Sequence, residues 1–191
     1  MKSFKFETKE KKENSISLLS NTTKRNAIVL ASLIGTAGMA QAAECYGVIN
    51  SWASDSSGTA CTVSGTPNYD YIQARNGTIA TVLNPVNINA TSSGTAAVMA
   101  ESNASINFMG NTTVQAHGKR HGVYIDTANI VVNGNLASSA VGKNTRAVHV
   151  SGTGSTLTVN GNLTGARTGD SGGAVVELTG GNSITVGGAT H

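Results

Sequence analysis

Ile130-Val131-Val132-Asn133-Gly134-Asn135-Leu136 decides the fold, because the chain repeats it. It returns as Leu157-Thr158-Val159-Asn160-Gly161-Asn162-Leu163. A looser copy, Ile106-Asn107-Phe108-Met109-Gly110-Asn111-Thr112, precedes it, and a truncated one, Ile184-Thr185-Val186-Gly187-Gly188, follows. The leading aliphatic residues lie 24, 27 and 27 positions apart. A fixed period of that size marks a solenoid. A second short pattern stands upstream of each copy: Val98-Met99-Ala100, Val123-Tyr124-Ile125, Val148-His149-Val150 and Val176-Glu177-Leu178.

Both patterns alternate with period 2 and are rich in β-branched residues, which makes them strands. Gly and Asn follow each strand of the first pattern, where a corner needs positive φ or a side chain that supports the turn. The expected fold is therefore all-β, a right-handed parallel β-helix of 24–27-residue coils. One coil buries too little apolar surface to stand alone, so stacking supplies the core. The inward set is Ile106, Phe108, Val123, Ile125, Ile130, Val132, Val148, Val150, Leu157, Val159, Val176, Leu178, Ile184 and Val186. Asn111, Asn135 and Asn162 should stack as a ladder, their amides bonded to one another as in cross-β stacks.

Outward from the repeats, residues 1–42 read as a secretory signal peptide. Seven Lys/Arg and three Glu lie in 1–26, an apolar run covers 27–38, and Ala40-Gln41-Ala42 supplies the small-x-small site, with cleavage between Ala42 and Ala43. Twelve apolar residues cannot cross a bilayer, which needs about 20. The whole chain carries a formal +3, but residues 43–191 hold six Lys/Arg against seven Asp/Glu, a net of −1. No basic stripe remains to bind nucleic acid.

Residues 43–75 read as an N-terminal cap, because they contain both cysteines, the only Trp and three of the four tyrosines. Cys45 and Cys61 are expected to form a disulfide, worth roughly 3 kcal/mol for a loop of about 17 residues in an oxidising compartment. As metal ligands they lack a neighbouring Cys/His pair. Residues 76–191 are the coils, and the chain is expected to be the start of something longer.

Resemblances to catalytic and metal sites are weak. Gly169-Asp170-Ser171-Gly172-Gly173 looks like the nucleophile loop of chymotrypsin-like proteases, but Ala174 follows where Pro is usual and the surrounding chain is repeats. His117, Lys119, Arg120 and His121 read as a solvated basic loop, and with Asp126 and Glu101 they fit no ligand spacing. His149 and Glu177 occupy equivalent outward positions in successive coils, an exposed pair worth at most about 1 kcal/mol. Asn-x-Ser/Thr triplets at Asn76, Asn89, Asn103, Asn111 and Asn162 are expected by composition alone. No catalytic residue, cofactor or metal is expected.

The leader, the cap and the Val-x-Val and Leu-Thr-Val-x-Gly-Asn repeats together resemble the passengers of Gram-negative autotransporters (type V secretion), most closely the pertactin/AIDA-type β-helical passengers. His121-Gly122-Val123-Tyr124-Ile125, 157–163 and Gly173-Ala174-Val175-Val176-Glu177-Leu178 carry the resemblance, which covers about 95–191 well and 43–94 weakly. The family's C-terminal translocator barrel and autochaperone segment are not in this sequence. The resemblance implies passage through the periplasm by export machinery and an outer-membrane translocator barrel. It also implies display at the cell surface or release, and an adhesive role toward a host cell, a glycan or a second copy. The alternatives are a β-helical polysaccharide-degrading enzyme or passenger protease, and a filamentous protein exported through a separate partner pore.

Overall fold

The computed structural model describes residues 44–45, 52–55, 58–64, 68–83, 85–169 and 174–191. The leader, its cleavage site at Ala42 and Ala43, and Ser171 lie outside the described residues.

Strands run in threes along the chain. They are β1 (Trp52–Asp55), β2 (Ala60–Val63) and β3 (Asn68–Tyr69), then β4 (Tyr71–Ala74), β5 (Ile79–Val82) and β6 (Val86–Ala90). Next come β7 (Gly94–Glu101), β8 (Ser105–Phe108) and β9 (Thr112–Ala116), then β10 (Lys119–Asp126), β11 (Asn129–Val132) and β12 (Leu136–Val141). β13 (Arg146–Ser151), β14 (Thr156–Val159) and β15 (Leu163–Thr168) follow, and β16 (Val176–Leu178) and β17 (Ser183–Val186) complete the set. Each strand pairs, always parallel, with the strands three before and three after it. The result is three sheets: β1-β4-β7-β10-β13-β16, β2-β5-β8-β11-β14-β17 and β3-β6-β9-β12-β15. This is an all-β parallel solenoid. The segment expected to be a cap supplies β1 to β4, which already pair in these sheets.

Period-2 alternation becomes columns. In the second sheet Cys61, Ala80, Ile106, Ile130, Leu157 and Ile184 stand in register, beside Val63, Val82, Phe108, Val132, Val159 and Val186. In the first sheet Ile72, Val98, Val123, Val148 and Val176 align, beside Ala74, Ala100, Ile125, Val150 and Leu178. Most of these side chains are 0–3 % exposed, so the core is one continuous apolar rod.

The rod opens at its last coil. Val176 and Leu178, expected in the core, are 37 % and 44 % exposed, and Ile184 and Val186 are only partly buried. β16 and β17 are edge strands with a neighbour on one side alone. Their inward side chains therefore lack the cover that the preceding columns receive.

The repeat length varies only at some corners. From the second sheet to the third the step is six residues in every coil: Ala80 to Val86, Ile106 to Thr112, Ile130 to Leu136 and Leu157 to Leu163. The corner from the first sheet to the second differs. It holds two residues after Asp126 but four after Ser151.

The Asn ladder forms at the constant corner, with a different bond from the one expected. The side-chain oxygen of Asn111 accepts the backbone N–H of Asn135 at 2.9 Å, Asn135 accepts that of Asn162 at 2.9 Å, and Asn162 that of Ala189 at 2.9 Å. An amide–amide bond occurs two residues earlier, where the Asn160 side chain donates to Asn133 Oδ1 at 2.7 Å. The glycines between them are needed for space. A Cβ on Gly134 would stand 2.7 Å from Asn111 Oδ1, and one on Gly161 or Gly188 closer still to the Asn below. None of the three has positive φ, so the conformational reason expected from the sequence does not apply there.

Candidate functional site

Ionisable residues gather on one face. Along β11, β14 and β17 the outward residues are Asn129, Val131, Thr156, Thr158, Ser183 and Thr185, half-buried or exposed and all uncharged. On the third sheet Asn87, Asn89, Thr113, Gln115, Thr164 and Ala166 continue that character. The outer face of the first sheet instead brings together Arg75, Glu101, His121, Tyr124, Asp126, Arg146, His149 and Glu177.

A break in the inward–outward alternation builds this face. Ala97 and Val98, and Ala147 and Val148, are consecutive residues that are all fully buried. Gly122 and Val123 repeat the arrangement, because a Cβ on Gly122 would collide with Ser138 Oγ and Ala147 O inside the coil. Two successive inward residues shift the phase of the alternation, so that His121 and Tyr124, three apart, share the outer face. Their rings stack at 5.4 Å, and His149 from the next coil completes a triangle at 4.8 Å to His121 and 5.3 Å to Tyr124.

His121 is thus not in the solvated loop expected of residues 117–121. It lies within β10, is 6 % exposed and packs against two rings. His117 is exposed, immediately after β9. Burial lowers the His121 pKa to about 4, and His149, Arg146 and Arg120 push the same way. Burial also lowers His149, helped by Arg146 and opposed by Asp126. Both imidazoles are therefore neutral at pH 7. Neither Nδ1 finds a hydrogen-bond partner.

Tyr124 OH donates to Asp126 Oδ2 at 3.2 Å and accepts from Ser151 Oγ at 3.2 Å. Burial raises its pKa, and the Ser151 hydrogen bond opposes this while the Asp126 carboxylate adds to it. His149 and Glu177 do align in register, as their spacing implied. The partner of Glu177, however, is Arg146, whose Nε donates to Glu177 Oε2. Three coils upstream of that pair, Arg75 and Glu101 lie 2.8 Å apart at the surface.

The Cys45–Cys61 disulfide is present, with Cα atoms 4.8 Å apart and both residues buried. It ties the backbone at Cys45, which donates to Thr62 O at 2.7 Å, to the head of the Ala80–Ile106–Ile130 column. Among the described residues no group of three or more His, Cys, Asp or Glu converges as a metal centre. Comparison with protein-family models, with curated proteins and with solved structures finds no match for this chain.

Proposed function

We propose that this chain is part of an exported, autotransporter-type passenger that acts as an adhesive scaffold rather than an enzyme. The observation that carries the reading is the segregation of side chains. The second and third sheets of the solenoid present uncharged Thr, Asn, Ser and Val in registered rows, and ionisable groups are held mainly to the first. Such rows offer many weak hydrogen bonds and small apolar contacts along one axis. Repeated weak contacts to an extended partner, or to a second copy, add through effective concentration. A buried disulfide supports an oxidising compartment, in keeping with the leader-like pattern of 1–42.

A polysaccharide-active enzyme is the second reading, favoured by the Tyr124, Asp126, His149 and Ser151 cluster on the first sheet. Its phenol and carboxylate already satisfy one another, which argues for structure over turnover. Export is tested by mass spectrometry of periplasmic and surface fractions. The expected mature start is Ala43, within one residue, and an intact Met1 in exported material would end the proposal. Ser171→Ala is expected to leave attachment unchanged, and labelling of Ser171 by a fluorophosphonate probe would favour an enzyme.

A further inference from the structure

The two histidines whose rings meet diagonally across the β10–β13 pair have unsatisfied ring nitrogens in common. A buried polar atom with no partner calls for an explanation, an ion being one of the recognised ones. We propose that His121 and His149 form a two-imidazole site for a borderline transition-metal ion, Cu²⁺ foremost, on the outer face of the first sheet.

The separation of the two rings matches that of two imidazoles on one metal ion. Ligation at about 2.0–2.1 Å per imidazole nitrogen, with angles at the metal between about 90° and 109°, sets two ring centroids about 4.5–5.2 Å apart. The observed separation is 4.8 Å, with the rings tilted by 56°. His121 is 6 % exposed and carries a buried, unpartnered Nδ1, and His149 carries another. Imidazole nitrogen is the commonest protein ligand for such ions. Parallel pairing of His121 with Arg146 and of Tyr124 with His149 holds the two backbones in fixed register.

Charges nearby set the strength and the preference. Arg146 adjoins both rings and Arg120 adjoins His121, which opposes a cation, whereas the Arg146 charge is paired with Glu177 and Asp126 lies near His149. Since no third His, Cys, Asp or Glu converges among the described residues, water fills the remaining positions. A site with two nitrogens and water suits Cu²⁺ over Zn²⁺, because affinity rises toward copper along the divalent series and imidazole serves both.

The test is titration of the purified chain with Cu²⁺ and with Zn²⁺ in a weakly coordinating buffer at pH 7, followed by calorimetry and electron paramagnetic resonance. One equivalent of Cu²⁺ with nitrogen hyperfine structure from two imidazoles is expected, and Zn²⁺ is expected to bind at least about tenfold more weakly. His149→Ala, at a half-buried position, should lower Cu²⁺ affinity at least about tenfold. His121→Gln should do the same, with circular dichroism verifying the fold of both, and His117→Ala should change nothing. Binding retained in His149→Ala, loss of binding in His117→Ala, or no saturable Cu²⁺ signal would each overturn the site.

Discussion

The side-chain oxygen of Asn135 accepts the backbone N–H of Asn162 at 2.9 Å and occupies the place where a Cβ on Gly161 would stand. The Asn-Gly-Asn corner is therefore a single device, in which one coil's Asn fills the volume that the next coil's Gly leaves empty. Gly161→Ala should destabilise the protein by about 1–3 kcal/mol through overpacking. Asn135→Ala should cost about 1 kcal/mol through the lost bond. In the double variant the costs should sum to less than the two singles, since the clash loses one partner. Relief stays partial, because Gly134 O would also lie 2.7 Å from the added methyl. Urea denaturation of the three variants measures the coupling.

Core and edge positions of the same repeat should respond differently. Ile130 is 1 % exposed and Leu178 is 44 % exposed. Ile130→Ala is expected to cost about 2–5 kcal/mol, and Leu178→Ala below about 1 kcal/mol, in keeping with its partial burial. Equal losses in thermal denaturation would mean that Leu178 is covered as Ile130 is, and that the rod does not open at β16.

Acid should weaken the first sheet. His121 titrates at about 4 in the folded protein against 6.5 in the unfolded chain. Below pH 6.5 the unfolded chain binds the proton more readily, so stability is full above about pH 6.5 and is lost as pH falls toward 4. His149, also lowered, acts in the same direction. The full shift of His121 corresponds to about 3 kcal/mol, which solvent screening at a partly open site reduces to on the order of 2 kcal/mol. Urea midpoints between pH 7 and pH 5 should fall for the native protein and fall less for His121→Gln. Parallel slopes would contradict the burial of the ring.

Reduction should loosen the head of the solenoid. The disulfide closes a loop of sequence separation 16, so its removal in Cys61→Ala is expected to cost about 3 kcal/mol. Melting temperatures with and without reductant provide the comparison. Peptide mapping under non-reducing conditions should recover Cys45 joined to Cys61.

The second sheet was legible in the sequence because its exit corner never changes length. The six-residue step from Ile106 to Thr112, Ile130 to Leu136 and Leu157 to Leu163 keeps strand, Gly and Asn in one frame. The first sheet was half legible. Val123 and Val148 are 25 residues apart, which also puts Tyr124 beside His149. His121 stayed hidden because Gly122 and Val123 both face inward, so strict alternation assigns it to the wrong side. Its 28-residue separation from His149 corresponds to no ligand motif, and only the register of β10 on β13 joins them. In the sequence Gly134 and Gly161 read as corner residues for a conformational reason. The actual reason, an Asn side chain from the neighbouring coil, depends on contacts that a linear reading does not contain. Val176 and Leu178 match the inward pattern and yet are exposed, because periodicity reports the direction of a side chain and not what covers it.

The adhesive account is tested most directly by attachment of cells displaying the protein. Cells bearing the native sequence are compared with cells bearing Thr158→Lys with Thr164→Lys, two outward changes that put charge on the uncharged faces and leave the core columns intact. Display of the native protein should promote aggregation or surface attachment, and the double variant, displayed at equal level, should lose most of that gain, as should deletion of residues 95–191. Attachment that is the same for all three proteins, or no greater than for cells displaying nothing, would contradict the account.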